Sequence, residues 1–463
     1  MDVHDSAREG RLQMPRVLLL TERLPKALRP LWRQALGIIG FNTGMARRLH
    51  TDLFSIGFSQ AVAAAGQIIG IRLLTEALSP AVFGEVALAV GMSTLAISLF
   101  VNPTMQALLR YYPEYAQSGS ETAVRATALR RIVRNSVFAL PLSLPLVILA
   151  VVAGWFNLVV VALLFLLVVV DGMRTFRTAI MNASRDHRRY GVWQIGEAWG
   201  RPLLAYAAAV WWGIHTEVVL VAYILASLVL YLALTRSTGE SALAAPARDI
   251  DEEDLLCRFE RYARPLIPLG LVGWISGMAD RYMIGSLLSF QDVGMYAAVY
   301  GLASRPLLMA SSIAETAIRP VYYAAVVRQD LQASRKYLVS WFVIVFAAGT
   351  AVCACFALLQ RPLAHLLLGP SFREASDLMP WIAAGYGLLA LSHITTRICY
   401  AYDATRSVLM TESAGAFLAV AVGFPLIYAF GLQGAAMAVP LFFGIQLALS
   451  TYLATQSIRN FYK

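Results

Sequence analysis

Every second connector in this chain is nearly empty of basic residues. The sequence alternates apolar stretches with short connectors. Lysine and arginine crowd one alternate set of connectors, while the other set holds only Arg361 and Arg373. These side chains resist transfer across a bilayer and accumulate in cytoplasmic loops. Such a chain reads as a multi-pass protein of a bacterial inner membrane, with both termini in the cytoplasm.

The apolar stretches run over 53–74, 84–106, 132–153, 156–176, 191–212, 217–235, 264–286, 294–317, 337–358, 379–401, 408–429 and 434–456. Each is close to the ~20 residues a helix needs to cross ~30 Å of hydrocarbon, so an all-α fold of about twelve transmembrane helices is predicted. With 58% hydrophobic and only 14% charged residues, the chain could not clothe a water-soluble surface. Its net charge of +10 follows from the loop asymmetry, and no nucleic-acid partner is implied. Cys257, Cys353, Cys355 and Cys399 are too irregularly spaced for a disulfide framework or a zinc site and read as apolar filler.

Residues 1–50 differ from the rest. They are basic and broken by Pro25 and Pro30, and no apolar core with a cleavage site marks a signal peptide. Residues 17–41 suit an interfacial segment on an anionic leaflet, with a disordered tail as the alternative. Met45, followed by Arg47 and Arg48, offers a second start.

The chain also repeats itself. Leu78, Ser79, Val82, Gly84, Ala87 and Gly91 return about 210 residues later as Leu288, Ser289, Asp292, Gly294, Ala297 and Gly301. The longest basic connector carries Gly239, Pro246 and an acidic run from Asp249 to Asp254, which suggests a hinge. The resulting layout is a basic segment 1–50, a six-helix lobe 51–235, a linker 236–263, a second six-helix lobe 264–456 and a tail 457–463. An even helix number makes the halves parallel repeats.

Leu78-Ser79-Pro80-Ala81-Val82-Phe83-Gly84, Ala107-Leu108-Leu109-Arg110-Tyr111-Tyr112-Pro113-Glu114 and Leu288 to Tyr296 resemble the oligosaccharide flippases of the polysaccharide transport family. That family belongs to the multidrug/oligosaccharidyl-lipid/polysaccharide exporter superfamily, with the multidrug extruders and the peptidoglycan lipid flippase. The resemblance spans about residues 50–456. It implies two pseudo-symmetric bundles around a central cavity that opens alternately to each side. A lipid-linked oligosaccharide would place its sugar and diphosphate in the cavity and its polyprenyl tail among membrane lipids.

Arg72, Arg134, Arg201, Arg281, Arg305 and Arg397 fall inside the spans. An arginine near a bilayer centre costs roughly 2.5–3.5 kcal/mol and normally faces the bundle interior or a water-filled cavity. Arg134 reads as snorkelling from a helix end. Arg201, Arg305 and Arg397, with Arg72 and Arg281, are the candidate ligands for the diphosphate. Glu197, Asp280 and Glu315 lie beside them, either taking up a coupling proton or Na+ or locking helices together as structural ion pairs.

Gly66-x3-Gly70, Gly196-x3-Gly200 and Gly273-x3-Gly277 are expected to let helices approach closely. His393 reads as a buried hydrogen-bonding residue, and Trp155, Trp211, Trp212 and Trp381 as an interfacial belt. No catalytic constellation and no phosphate-cradling glycine loop with its lysine is found. The reading is therefore a non-enzymatic flippase for an undecaprenyl-diphosphate oligosaccharide, feeding O-antigen, capsule or exopolysaccharide synthesis. A polysaccharide polymerase and a chain-length regulator are its expected partners. The alternatives are a cation-coupled multidrug extruder and an integral-membrane polymerase or ligase, the latter disfavoured by the short outward loop 359–378.

Overall fold

A computed structural model describes residues 43–117, 119–236 and 252–461. The expected interfacial segment 17–41 and the linker from Ser237 to Asp251 lie outside the described residues. The chain divides into a unit ending at Phe54 and a body from Ser55 onward, and the architecture below belongs to the body.

The helices are α1 (Thr43–Ala77), α2 (Pro80–Ala96), α3 (Asn102–Ala116), α4 (Glu121–Val152), α5 (Leu158–Ala183), α6 (His187–Trp212), α7 (Thr216–Arg236), α8 (Glu252–Ala263), α9 (Leu266–Leu287), α10 (Phe290–Val327), α11 (Leu331–Leu367), α12 (Met379–Ala401) and α13 (Thr405–Phe461). Each predicted span falls on one of them. A π-helical segment, Ile97–Val101, joins α2 to α3 as one span. α13 reverses at Gly431, whose φ of 59° and ψ of −137° split it into the last two spans. Among the described residues, seven helical stretches are long and apolar enough to cross a membrane by length and composition alone. α6, α9 and α10 are not among them, and each carries charged residues within its apolar stretch: Glu197 and Arg201, Asp280 and Arg281, and Arg305. The stretch expected as a short loop at 359–378 is instead ordered: α11 bends at Leu359 and continues to Leu367, followed by a 3₁₀ helix over Pro370–Leu378.

Local signals set these boundaries, and they repeat between halves. Ser79 caps α2, its Oγ accepting from Val82 N at 3.4 Å with Pro80 in the first turn. Ser289 caps α10 in the same way, accepting from Asp292 N at 3.2 Å and donating to Asp292 Oδ2 at 2.6 Å. Left-handed residues also recur at corresponding turns, as Gly119 with Gln329, Arg185 with Asp403 and Gly213 with Gly431. α1–α7 and α9–α13 are thus two versions of one six-span bundle.

α8 shows that the linker is structured from Glu252. Leu255, Phe259 and Ala263, spaced at four residues, are fully buried against Leu108, Val124 and Ala128 of α3 and α4. Arg258 donates to Glu114 Oε1 at 2.8 Å and lies 4.8 Å over the Tyr111 ring. Glu260 pairs with Arg131 at 3.1 Å and with Arg134. Arg134, expected to snorkel, is exposed and has Glu260 as a counter-ion, and the linker's end is fastened to the first lobe.

Candidate functional site

The two lobes meet where α2 and α10 cross, at the rim poor in basic residues. A Cβ on Gly294 would lie 1.8 Å from the Pro80 carbonyl oxygen, and one on Gly84 2.0 Å from that of Phe290. These glycines hold equivalent places in the repeat, so the contact is reciprocal, and it exists only because neither has a side chain. Around it, Gly369 N donates to Thr75 Oγ1 at 2.9 Å and Phe83 meets Phe372 edge-on at 5.5 Å. Tyr282 donates to Leu88 O at 2.7 Å and Trp274 Nε1 to Gly91 O at 2.8 Å. Trp155 stacks on Tyr282 at 6.3 Å, wedged between lobes rather than standing in a belt. Trp211 and Trp212 are exposed, as a belt requires.

Toward the opposite, basic rim the lobes stay in contact along α9, where a Cβ on Gly270 would lie 2.4 Å from the Ser98 carbonyl oxygen. Gly294, Ala298, Gly301 and Arg305 share one face of α10 by their spacing. Gly301 still meets Ile71 of α1, where a Cβ would come within 3.0 Å. One turn on stands Arg305, and then the exposed Leu308. On α9, Gly273 and Gly277 face nothing within 4 Å, so they line open space rather than a tight helix contact. Gly66 and Gly70 do pack as expected, against Trp199 and Pro202. The contact between the lobes is therefore tightest at the rim poor in basic residues, while Gly273 and Gly277 face open space on α9.

Beneath the tight rim lies a largely buried charged and aromatic cluster from α9, α10 and α12. Arg281 is 8% exposed, and its Nη1 donates to Gly277 O at 2.8 Å and lies 3.3 Å from Asp280 Oδ1. Tyr296 donates to Asp280 Oδ2 at 2.8 Å. Tyr300, beneath the Arg281 guanidinium at 4.3 Å, shares a hydrogen bond with Tyr386. Arg305 lies within electrostatic reach of Arg281 and Tyr386, with no carboxylate or hydrogen-bond partner of its own among the described residues. Two arginines against one carboxylate leave this cluster positive.

In the first lobe, Arg201 does not stand free. It is bound to Asp171, lies 3.4 Å from Glu197 Oε1, donates to Ser227 Oγ at 2.9 Å and covers the Tyr223 ring at 5.8 Å. Arg174 closes the group, 2.6 Å from Glu197 Oε2 and 3.3 Å from Asp171 Oδ1. Two arginines and two carboxylates cancel. Asp171 and Arg174 escaped sequence reasoning, although an aspartate after the run Leu166-Leu167-Val168-Val169-Val170 was itself a signal, since a carboxylate in hydrocarbon needs a partner.

A third group lies nearer the basic rim in the second lobe. Arg397 Nε is 2.8 Å from Glu315 Oε1, its N–H not aimed along that line, and Arg319 donates to the same oxygen at 2.7 Å. His393 is half-buried within electrostatic reach of both Arg397 and Glu315. Arg72, near the closed rim, pairs with Glu76 one turn on. Of the five arginines proposed from sequence, Arg305 alone lacks a carboxylate among the described residues.

Residues 49–326 match the family described as "Polysaccharide biosynthesis protein". Among curated proteins, none matches the chain. Solved structures share its fold at low identity. A multidrug resistance MATE family transporter of the MOP superfamily, in an inward-facing conformation, is similar at TM-score 0.64 and 15% identity over 89% of this chain and 98% of that one. The lipid II flippase MurJ, in an inward closed conformation, is similar at TM-score 0.65 and 11% identity over 86% and 87%. A MATE family transporter in an outward-facing conformation gives 0.53 at 15% identity, over 90% and 95%. The fold is that of MOP superfamily transporters.

Proposed function

The chain belongs to the polysaccharide biosynthesis protein family, and on that premise we propose that it flips an undecaprenyl-diphosphate-linked oligosaccharide across the bacterial inner membrane by alternating access. The observation that carries this reading is Arg305, a guanidinium without a counter-ion on the cavity face of α10, beside Arg281 and three tyrosines. A diphosphate supplies the missing negative charge through charge-assisted, bidentate bonds. Tyr296, Tyr300 and Tyr386 are buried and bonded to Asp280 and to one another, so they hold Arg281 in place beside Arg305. The barrier removed is large, because each polar group dragged unsatisfied through hydrocarbon costs several kcal/mol.

In this reading the basic rim faces the cytoplasm, the side where the substrate is made. Glu197, Asp280 and Glu315 are each held by arginine, so a coupling proton or Na+ would have to displace one. The inside-negative potential needs no such exchange: it yields about 2.3 kcal/mol per 100 mV for each negative charge moved outward. We assign the drive to it, with removal of product by a polymerase and its chain-length regulator outside.

The direct test is transport by the purified protein in vesicles, using an undecaprenyl-diphosphate oligosaccharide with a fluorescent sugar. Accelerated exposure of the sugar to an external quencher is expected. Uptake of organic cations with no movement of the lipid would replace this reading by that of a drug extruder. Orientation is checked separately: reporters fused after residues 80, 214, 290 and 432 should be periplasmic, and after 120, 186 and 330 cytoplasmic. One clear inversion would refute the assigned sidedness.

A further inference from the structure

Away from the cluster around Arg281, the first lobe holds a second cation with no counter-ion among the described residues. Arg177 on α5 is 8% exposed, lies 5.6 Å over the Tyr231 ring of α7, and its Nε has no acceptor among the described residues. Trp193 on α6 is 1% exposed, meets the same tyrosine edge-on at 6.4 Å, and its Nε1–H also has no acceptor. A buried charge is tolerated when it is paired, and a buried N–H seldom stays without an acceptor. Here two orphaned donors converge on one ring. The carboxylates nearest in sequence and space are already taken: Arg174, one turn from Arg177, shares Asp171 and Glu197 with Arg201. Among the described residues, the niche holds no free carboxylate.

Its depth and surroundings say which kind of anion it suits. Arg177 and Trp193 each stand six residues inside the basic-rim ends of their helices, about 9 Å at 1.5 Å per residue, the level of lipid headgroups. A groove lined by Asp186, Arg188, Arg189 and Val192 opens at the rim beside Trp193. Val192 and, on α7, Leu228 and Val229 present exposed apolar surface that matches acyl chains. Exposed Arg185 and Arg188 add positive potential, which draws anionic lipid to such pockets between transmembrane helices.

We propose that this niche between α5, α6 and α7 binds the phosphate of an anionic glycerophospholipid from the leaflet at the basic rim, with Arg177 and Trp193 Nε1 donating to its oxygens. The site is separate from the cavity and stands whether or not the transported molecule is the one assigned above. It is tested on the full-length protein purified in mild detergent, by counting co-purified phospholipid by mass spectrometry and by thermal unfolding with added lipid. Wild-type protein should retain phosphatidylglycerol and unfold several degrees higher when it is supplied, with a much smaller response to phosphatidylcholine. Arg177→Gln should lower retained anionic lipid about fivefold or more and lose most of the thermal shift, as expected when a ligand that binds only the folded state no longer binds. Trp193→Phe, which keeps the packing and removes one donor, should fall between, and it serves as the probe if Arg177→Gln does not fold. Equal retention by wild type and these variants would overturn the proposal. So would an equal thermal shift from inorganic phosphate alone, which would make the niche a site for free anions.

Discussion

Gly294→Ala should force the closed rim apart and stop transport while leaving the protein in the membrane. The added methyl carbon would sit 1.8 Å from the Pro80 carbonyl oxygen, and the obstacle is backbone, with no rotamer to yield. Overpacking a well-filled contact costs about 1–3 kcal/mol, and the upper figure shifts a conformer ratio more than a hundredfold. Each lobe has a core of its own besides the cluster the two share at the seam, so the penalty falls mainly on the state with the seam closed. Gly84→Ala should do the same by symmetry, against the Phe290 carbonyl. Spin labels at Ile214 and Leu366, both exposed and in different lobes at this rim, would report a longer distance in the variants. Unchanged distances with normal export would mean that the seam is not a gate.

That seam was half legible in the sequence. Ser79 with Gly84 and Ser289 with Gly294 stand out as a repeat because helix caps and glycines are local signals, carried by residue type and spacing. What they touch is not local. Nothing in either segment says that the two glycines press on each other's helices, because the contact joins positions about 210 residues apart. The same limit governs the charges. Period and composition place Arg201, Arg281, Arg305 and Arg397 at depth, yet whether an arginine is paired depends on which helix lies opposite. Intrahelical pairs such as Arg72 with Glu76 and Arg319 with Glu315 could be read from an i,i+4 spacing. Glu197 and Arg201 also have that spacing, but the partner that holds Arg201 most closely is Asp171 from α5. Gly273 and Gly277 misled in the opposite direction. A small-xxx-small pattern permits close packing without requiring it, and here both glycines face open space.

The deep arginines should consequently part into two behaviours when changed to alanine. Arg201→Ala leaves Asp171, which is 6% exposed, and Glu197 to share Arg174 alone. Breaking a buried pair by removing one partner costs about 3–5 kcal/mol, a large part of a typical stability of about 5–15 kcal/mol. Membrane levels of Arg201→Ala should fall several-fold, and Asp171→Asn in the same chain should restore them by removing the surplus charge. Arg305→Ala breaks no pair and even relieves its repulsion with Arg281, so the protein should accumulate normally. Its export of polysaccharide should nonetheless be lost, because the diphosphate then meets only Arg281, already committed to Asp280. Arg305→Lys should recover part of the export, since a lysine brings the charge without the bidentate fork. Quantified membrane levels beside polymer export separate the two outcomes. Full export by Arg305→Ala at normal abundance would remove the unpaired guanidinium from the mechanism and with it the assignment of the cavity to a diphosphate.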